Sequence, residues 1–145
     1  MILPQRGDPG MRTRELIEKA RQVLSGAENI AAAYVFGSIV RGRLTPFSDL
    51  DLAILFREGF VPNTLGILEL RETLTSTLGI DVDIACLNTA GPILVLQVLR
   101  KGEKIIEHDT YALAQFVIRA VNAYDDLKRV RRPIERQILL GRVYS

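Results

Sequence analysis

Apolar and polar residues follow helical spacing in some stretches of the chain and strand-like spacing in others. Between Arg12 and Ser25 the apolar positions recur every three or four residues, and Ser25-Gly26 then ends the predicted helix. Three short, nearly continuous apolar runs are typical of buried strands. These runs cover residues 30–36, 50–56 and 80–87.

Proline, asparagine and glycine signals predict further helices between and after these strands. In chain order they are a helix introduced by Pro62-Asn63 and ended by Gly79, a short apolar helix from Pro92 to about Leu99, and a long helix capped by Asp109. Pro133 is expected to break or kink the long helix, and residues 103–107 to form a short edge strand.

This order of elements predicts one α/β domain. We expect a mixed, mostly antiparallel sheet with helices on one face and carboxylates on the other. Residues 1–10 hold two prolines and two glycines and are interpreted as a flexible leader. Residues 11–145 are then a single domain that includes a helical C-terminal tail, and 48% hydrophobic content is enough for its core.

Composition excludes several classes of protein. No window approaches 18 uncharged apolar residues, so no membrane span is predicted. The N-terminal ten residues lack the apolar stretch of a signal peptide, which favours a cytoplasmic protein. The chain has one cysteine and one histidine, Cys86 and His108, which excludes a disulfide scaffold and a Cys/His zinc site. Any metal must therefore bind to carboxylates.

Acidic residues occupy alternate positions in two of the predicted strands. Asp49 and Asp51 lie opposite to the apolar face of the second strand, about 7 Å apart along it. Asp81 and Asp83 repeat the pattern in the third strand. If these strands are neighbours, four carboxylates crowd one surface and repel each other unless a cation lies between them. Oxygen ligands of this kind select Mg²⁺ or Mn²⁺ over zinc.

The turn after the first strand is suited to an anion. Gly37 lets the backbone approach a ligand closely, and Ser38 begins a short helical turn whose N–H groups favour phosphate. Arg41 and Arg43 follow within reach of a phosphate or of the carboxylates. A phosphate site opposite a metal held by carboxylates is the arrangement used in phosphoryl and nucleotidyl transfer.

The combined motif resembles a known superfamily. Gly37-Ser38, ten further residues, Asp49-Leu50-Asp51 and a later strand with Asp83 are similar to the palm of the DNA polymerase β-like nucleotidyltransferases. The short chain and the run from Gly37 to Gly42 resemble its minimal MNT-type subgroup. The C-terminal helix, with Tyr124-Asp125-Asp126, is similar to that of MntA-like antitoxins, which are paired with HEPN ribonuclease toxins.

This resemblance implies a role for each residue of the motif. Gly37, Ser38 and Arg41 would bind the phosphates of ATP, and Asp49, Asp51 and Asp83 would be the catalytic carboxylates that hold Mg²⁺. The implied activity is the transfer of AMP from ATP to a hydroxyl, expected to be a tyrosine, of a HEPN-type toxin. Two Mg²⁺ ions are implied, and Mn²⁺ is an alternative.

Two other functions remain open from the residues. One is nucleotidyl transfer to a small molecule such as an aminoglycoside, although the chain has little material to enclose one. The other is a catalytically inactive antitoxin that acts by binding alone. All three carboxylates of the motif, Asp49, Asp51 and Asp83, are present, which favours an enzyme.

The C-terminal tail is basic. Residues 128–142 carry six basic side chains and one acidic one, whereas the whole chain carries 19 and 17. This segment is either a solvated helix end or a surface for an anionic partner. We expect it to bind an acidic protein face and not nucleic acid, because it lacks the interleaved aromatic residues that stack on bases.

Overall fold

The computed structural model describes residues 9–37 and 49–144, with side chains described for residues 12–37 and 49–129. Helices and strands occur in the predicted order. They are α1 (Pro9–Ser25), β1 (Ile30–Phe36), β2 (Leu50–Phe56), α2 (Thr64–Leu78), β3 (Val82–Cys86), α3 (Pro92–Lys101), β4 (Glu103–Glu107) and α4 (Thr110–Tyr144).

The four strands form a mixed sheet with the order β3-β2-β1-β4. β1 pairs antiparallel with both β2 and β4, whereas β2 and β3 are parallel and connected by α2. A backbone hydrogen bond of 2.9 Å from Leu50 N–H to the Asp81 carbonyl lies at the start of this parallel pair. The end of β1 and the starts of β2 and β3 therefore lie at one edge of the sheet, here called the carboxylate edge.

Helices cover both faces of this sheet, so the expectation of helices on one face is wrong. α1 and α2 pack on the face that presents Val35, Leu52 and Ile54. α3 and α4 pack on the opposite face, over Tyr34 and Leu55. The physical reason is that β1 and β2 are apolar on both faces, and a second apolar face must also be covered.

The ends of α2 agree with the capping signals. The Asn63 side chain accepts a hydrogen bond of 2.8 Å from the Gly66 N–H at the N-terminus. Gly79 ends the helix with a left-handed backbone, and its N–H donates to the Thr75 carbonyl over 2.9 Å. Leu74 and Leu78 are buried, so α2 has a defined position against the sheet.

The two terminal helices are longer than the sequence predicts. α1 begins at Pro9, which suits the first turn of a helix, so two residues assigned to the leader are helical. Residues 1–8 lie outside the described residues. α4 continues through Pro133 to Tyr144, so a break at this proline is wrong, because a proline removes one hydrogen bond and the adjacent turns can remain helical. A kink at Pro133, the other predicted outcome, stays a prediction. No helix in the described part of the chain is long and apolar enough to cross a membrane.

Asn88 fastens the end of β2 to the turn after β3. Its side-chain oxygen accepts a hydrogen bond from the Phe56 N–H, and its side-chain nitrogen donates to the Phe56 carbonyl, each over 2.9 Å. The side chain thus pairs with both backbone groups of the last residue of β2, as a neighbouring strand would.

Candidate active site

The predicted catalytic carboxylates, Asp49, Asp51 and Asp83, all lie at the carboxylate edge. Asp51 in β2 lies opposite Asp83 in β3, in register across the parallel pair. On its other side Asp51 is the partner of Phe36, the last residue of β1. Neighbouring strands are about 4.8 Å apart, so Asp51 and Asp83 present carboxylates side by side on one face. Asp49 and Asp81 are exposed and directly precede β2 and β3.

The pKa of Asp51 reflects the charges of two neighbouring carboxylates, Asp49 and Asp83. Burial raises the pKa of the Asp51 carboxyl above its ordinary value, and the negative charges of Asp83 and Asp49 raise it further. Partial burial and like charges both disfavour the ionised form. A cation bound between these carboxylates would offset both effects.

Gly37 lies directly against Asp51. Its φ of 86° belongs to the left-handed region that favours glycine. A Cβ at this position would overlap with the Oδ2 atom of Asp51. The glycine of the sequence motif therefore lets the backbone at the end of β1 approach the Asp51 carboxylate closely. Ser38 and Arg41, the other predicted phosphate-binding residues, lie outside the described residues.

Arg71 is a residue of this region that the sequence analysis missed. Its Nη2 atom is 3.7 Å from Oδ1 of Asp83. The side chains are 48% and 60% exposed, so the ion pair is weak and both groups remain accessible. No local pattern in α2 identifies Arg71, because its contact with Asp83 depends on how the helix crosses beside β3.

The carboxylate oxygens of Asp49, Asp51 and Asp83 are suitable ligands for a hard divalent cation, although they do not converge on one point. Carboxylate oxygens are the ligands that Mg²⁺ and Mn²⁺ prefer, and the mutual repulsion at Asp51 favours a cation. Within the described residues, however, no three His, Cys, Asp or Glu side chains converge closely enough to hold a metal ion as they stand. An ion would have to draw the carboxylates together.

A groove of about 930 Å³ lies at the other end of β2, away from the carboxylates. It is formed by the loop after β2, the turn after β3 and the first half of α4. Its lining includes Phe56, Phe60, Val61, Leu87, Phe116 and Arg119. None of Asp49, Asp51 and Asp83 contributes to it, so it does not enclose a substrate at the carboxylate edge.

Comparison with known proteins places this site in a class. Residues 18–111 match the family model described as polymerase beta, nucleotidyltransferase. The chain therefore belongs to the polymerase beta nucleotidyltransferase family, and the class of enzyme is a nucleotidyltransferase. The matched range contains the end of β1 and the whole carboxylate edge.

Three known proteins show which branch of the family the chain is similar to. The protein adenylyltransferase MntA of Shewanella oneidensis is 29% identical over 103 residues, which is 70% of each protein. A chain of a crystallised toxin–antitoxin complex with AMP-PNP has a TM-score of 0.71 and 25% identity, with 85% of this chain and 98% of that chain covered. A chain from tri-AMPylated Shewanella oneidensis HEPN toxin in complex with MNT antitoxin has the same fold, with a TM-score of 0.68 and 23% identity over 88% and 98% of the two chains.

Proposed function

We propose that this protein transfers AMP from ATP to a hydroxyl of a HEPN-type toxin in the cytoplasm and so acts as its antitoxin. The observation that carries the proposal is the in-register pair of Asp51 and Asp83, with the backbone of Gly37 packed against Asp51. This arrangement sets carboxylates beside the turn that the motif assigns to phosphate.

Each residue of the motif has a role in the proposed reaction. Asp49, Asp51 and Asp83 would hold Mg²⁺, with two ions in the full site and Mn²⁺ as an alternative. When bound, the metal would supply positive charge for the phosphates and for the oxygen of the acceptor. Gly37 and Ser38 bind the triphosphate through backbone N–H groups and the serine hydroxyl, and Arg41 adds a positive charge.

The proposed chemistry is a single displacement at the α-phosphorus of ATP. The acceptor oxygen forms a bond to this phosphorus, the bond to the bridging oxygen breaks, and pyrophosphate leaves. A carboxylate oxygen of Asp83 accepts the proton of the acceptor hydroxyl and later releases it to water. Asp83 is 60% exposed, so an acceptor carried by another protein can reach it.

A protein acceptor suits this site better than a small molecule. The described groove lies away from the carboxylates, so it offers a small acceptor such as an aminoglycoside no enclosure there. A protein partner supplies proximity by docking. The similar MntA protein is named a protein adenylyltransferase, and a structural neighbour contains an AMPylated HEPN toxin. A tyrosine is the acceptor we expect, and its hydroxyl needs a base because its ordinary pKa is near 10.

Intact-mass spectrometry of the partner tests the proposal. With ATP and Mg²⁺, we expect one or more AMP adducts on the toxin, at a tyrosine when the site is mapped. Asp51→Asn should lower the rate at least about a hundredfold, since it removes a ligand of the charge-stabilising centre. Asp81→Asn is the matched control, because this exposed residue of the same edge contacts β2 through its backbone carbonyl. Its rate should stay within about threefold of wild type.

A binding-only antitoxin is the second candidate. It is favoured by the absence, within the described side chains, of three metal ligands that already converge. Under this alternative the two proteins bind but no adduct forms with wild type, and Asp51→Asn neutralises the toxin as well as wild type does. An adduct that Asp51→Asn abolishes would exclude it.

A further inference from the structure

One side of α2 runs beside the start of β3. Thr75 Oγ1 accepts a hydrogen bond of 3.2 Å from the Val82 N–H, the first residue of that strand. Arg71 is one helical turn earlier and therefore projects from the same side of α2. Its guanidinium lies next to Asp83, the second residue of the strand. The helix thus brings one positive charge to the carboxylate edge.

The position of Arg71 is fixed by its helix, whereas its side chain is 48% exposed. Asn63 and Gly79 cap α2, and Leu74 and Leu78 anchor it in the core. The guanidinium contacts Asp83 at 3.7 Å across an exposed surface, which is a loose contact for an ion pair. A loose, exposed pair of this kind can be opened by a competitor at little cost.

A divalent cation would be such a competitor. Asp83 lies in register with Asp51, and its negative charge raises the pKa of the Asp51 carboxyl. Arg71 is an opposite charge on the outer side of Asp83. A guanidinium donates hydrogen bonds to the same carboxylate oxygens that a metal ion would bind. Arg71 and a metal ion would therefore compete for Asp83.

We propose that Arg71 is a positioning residue that holds Asp83 in the metal-free protein and competes with the divalent cation for its carboxylate. This inference rests on the metal-binding role of Asp83 in the proposed function. It predicts that removal of the Arg71 charge strengthens cation binding, both by freeing Asp83 and by making the edge more negative.

Mn²⁺ binding to the full-length protein without nucleotide tests this inference. The free Mn²⁺ signal in electron paramagnetic resonance reports the Kd directly and needs no enzyme activity. We expect Arg71→Ala to lower the Kd about three- to fivefold, which corresponds to about 0.6–1 kcal/mol, the upper part of the range for an exposed ion pair. Arg71→Lys keeps the charge and should stay closer to wild type.

Arg14→Ala is the matched control, because it removes the same charge from an exposed position of α1. Its Kd should remain within twofold of wild type. If wild type binds Mn²⁺ and Asp51→Asn abolishes this binding, the metal role of the proposed function stands. An unchanged or higher Kd for Arg71→Ala would then overturn only the inference about Arg71. No Mn²⁺ binding by wild type overturns the metal role of the proposed function as well. General damage to the fold would weaken binding, which is opposite to the expected change.

Discussion

At the residue scale, the side chain of Asp51 lies against the backbone of Gly37 and faces the charges of Asp49 and Asp83. The charges of Asp49 and Asp83 disfavour the ionised Asp51 carboxylate in the metal-free protein. The backbone of Gly37 leaves this carboxylate little room to move. The sequence motif requires all four residues together. Partial burial and the two like charges therefore disfavour the ionised form of Asp51 in the protein without metal.

The first prediction concerns the pH dependence of this destabilisation. The pKa of Asp51 is raised in the folded protein above its ordinary value of 3.8, so the folded state binds the proton more tightly than the unfolded state. The stability associated with the protonated form is fully present below pH 3.8 and is lost as pH rises through the folded pKa. Without metal, Asp51→Asn should therefore raise Tm at pH 7, and this gain should shrink toward pH 4.

Thermal unfolding in a chelator measures this difference across pH. Glu58→Gln is the control, since Glu58 is an exposed carboxylate on the groove side of the molecule. Its Tm should follow that of wild type at every pH. A lower Tm for Asp51→Asn at pH 7 would mean that the Asp51 carboxylate stabilises the fold.

The second prediction compares two glycines with the same backbone geometry. Gly37 and Gly59 have φ of 86° and 84°, but only at Gly37 would a Cβ meet another atom. Gly59→Ala should cost about 1–2 kcal/mol of unfolding free energy from left-handed strain alone. Gly37→Ala should cost more and also weaken Mn²⁺ binding, because Asp51 must move. Urea unfolding measures the free energy of unfolding, and Mn²⁺ titration measures the Kd. Equal effects of both variants would contradict the contact between Gly37 and Asp51.

At the element scale, β2 is held from both sides and at its far end. β1 and β3 pair with it, and Asn88 bonds to both backbone groups of Phe56. Helix α2 then returns the chain to the carboxylate edge. The length and register of β2 therefore determine where Asp51 stands relative to Asp83.

The third prediction tests the Asn88 contact. Asn88→Ala removes both hydrogen bonds to Phe56 and should cost about 1–3 kcal/mol of unfolding free energy. Asn88→Asp keeps the acceptor for the Phe56 N–H and loses the donor, so its loss should be smaller. Chemical denaturation gives both values. If Asn88→Asp were the more damaging change, repulsion between its second carboxylate oxygen and the Phe56 carbonyl would outweigh the retained bond from the Phe56 N–H.

The elements show how far the sequence determines the fold. The limits of β1 and β2 and the caps of α2 at Asn63 and Gly79 follow from local signals and are confirmed. The third strand is shorter than the apolar run 80–87 that predicts it, since β3 covers only Val82–Cys86. The helices on the second face are not predicted, because the alternating carboxylates of β2 and β3 indicate an open carboxylate face of the sheet. Arg71 was missed because its meeting with Asp83 is a tertiary contact. The alternation of Asp49 and Asp51, by contrast, is local and indicates the site directly.

At the scale of the whole molecule, charge is distributed unevenly. Residues 128–142 of α4 carry six basic side chains and one acidic one, while the remainder of the chain has more acidic than basic residues. α4 is 35 residues long, which corresponds to about 50 Å of helix. A positive segment on such a helix suits an acidic partner surface.

The fourth prediction is that this basic segment strengthens binding to the partner protein. Combined Arg131→Ala, Arg132→Ala and Arg136→Ala should raise the Kd for the toxin about tenfold or more at low salt, and the effect should shrink as salt increases. Arg12→Ala, Arg14→Ala and Lys19→Ala remove the same charge from exposed positions of α1 and should have a smaller effect. Equal effects of the two triple variants would show that binding depends only on net charge. Tight, salt-sensitive binding of the protein to DNA or RNA would contradict a protein partner for this segment.

The parallel pairing of β2 with β3 has a consequence for folding kinetics. Asp51 and Asp83 become neighbours only after the segment 57–81, which contains α2, has crossed over and closed a long loop. Parallel pairings of this kind form slowly, because chain entropy is lost before the contacts can stabilise the pair. Metal affinity should therefore appear late in refolding, after the β1–β2 hairpin has formed. A chain whose β3 has detached would keep much of its helical signal and yet be unable to bind the ion, so Mn²⁺ binding would report the complete fold.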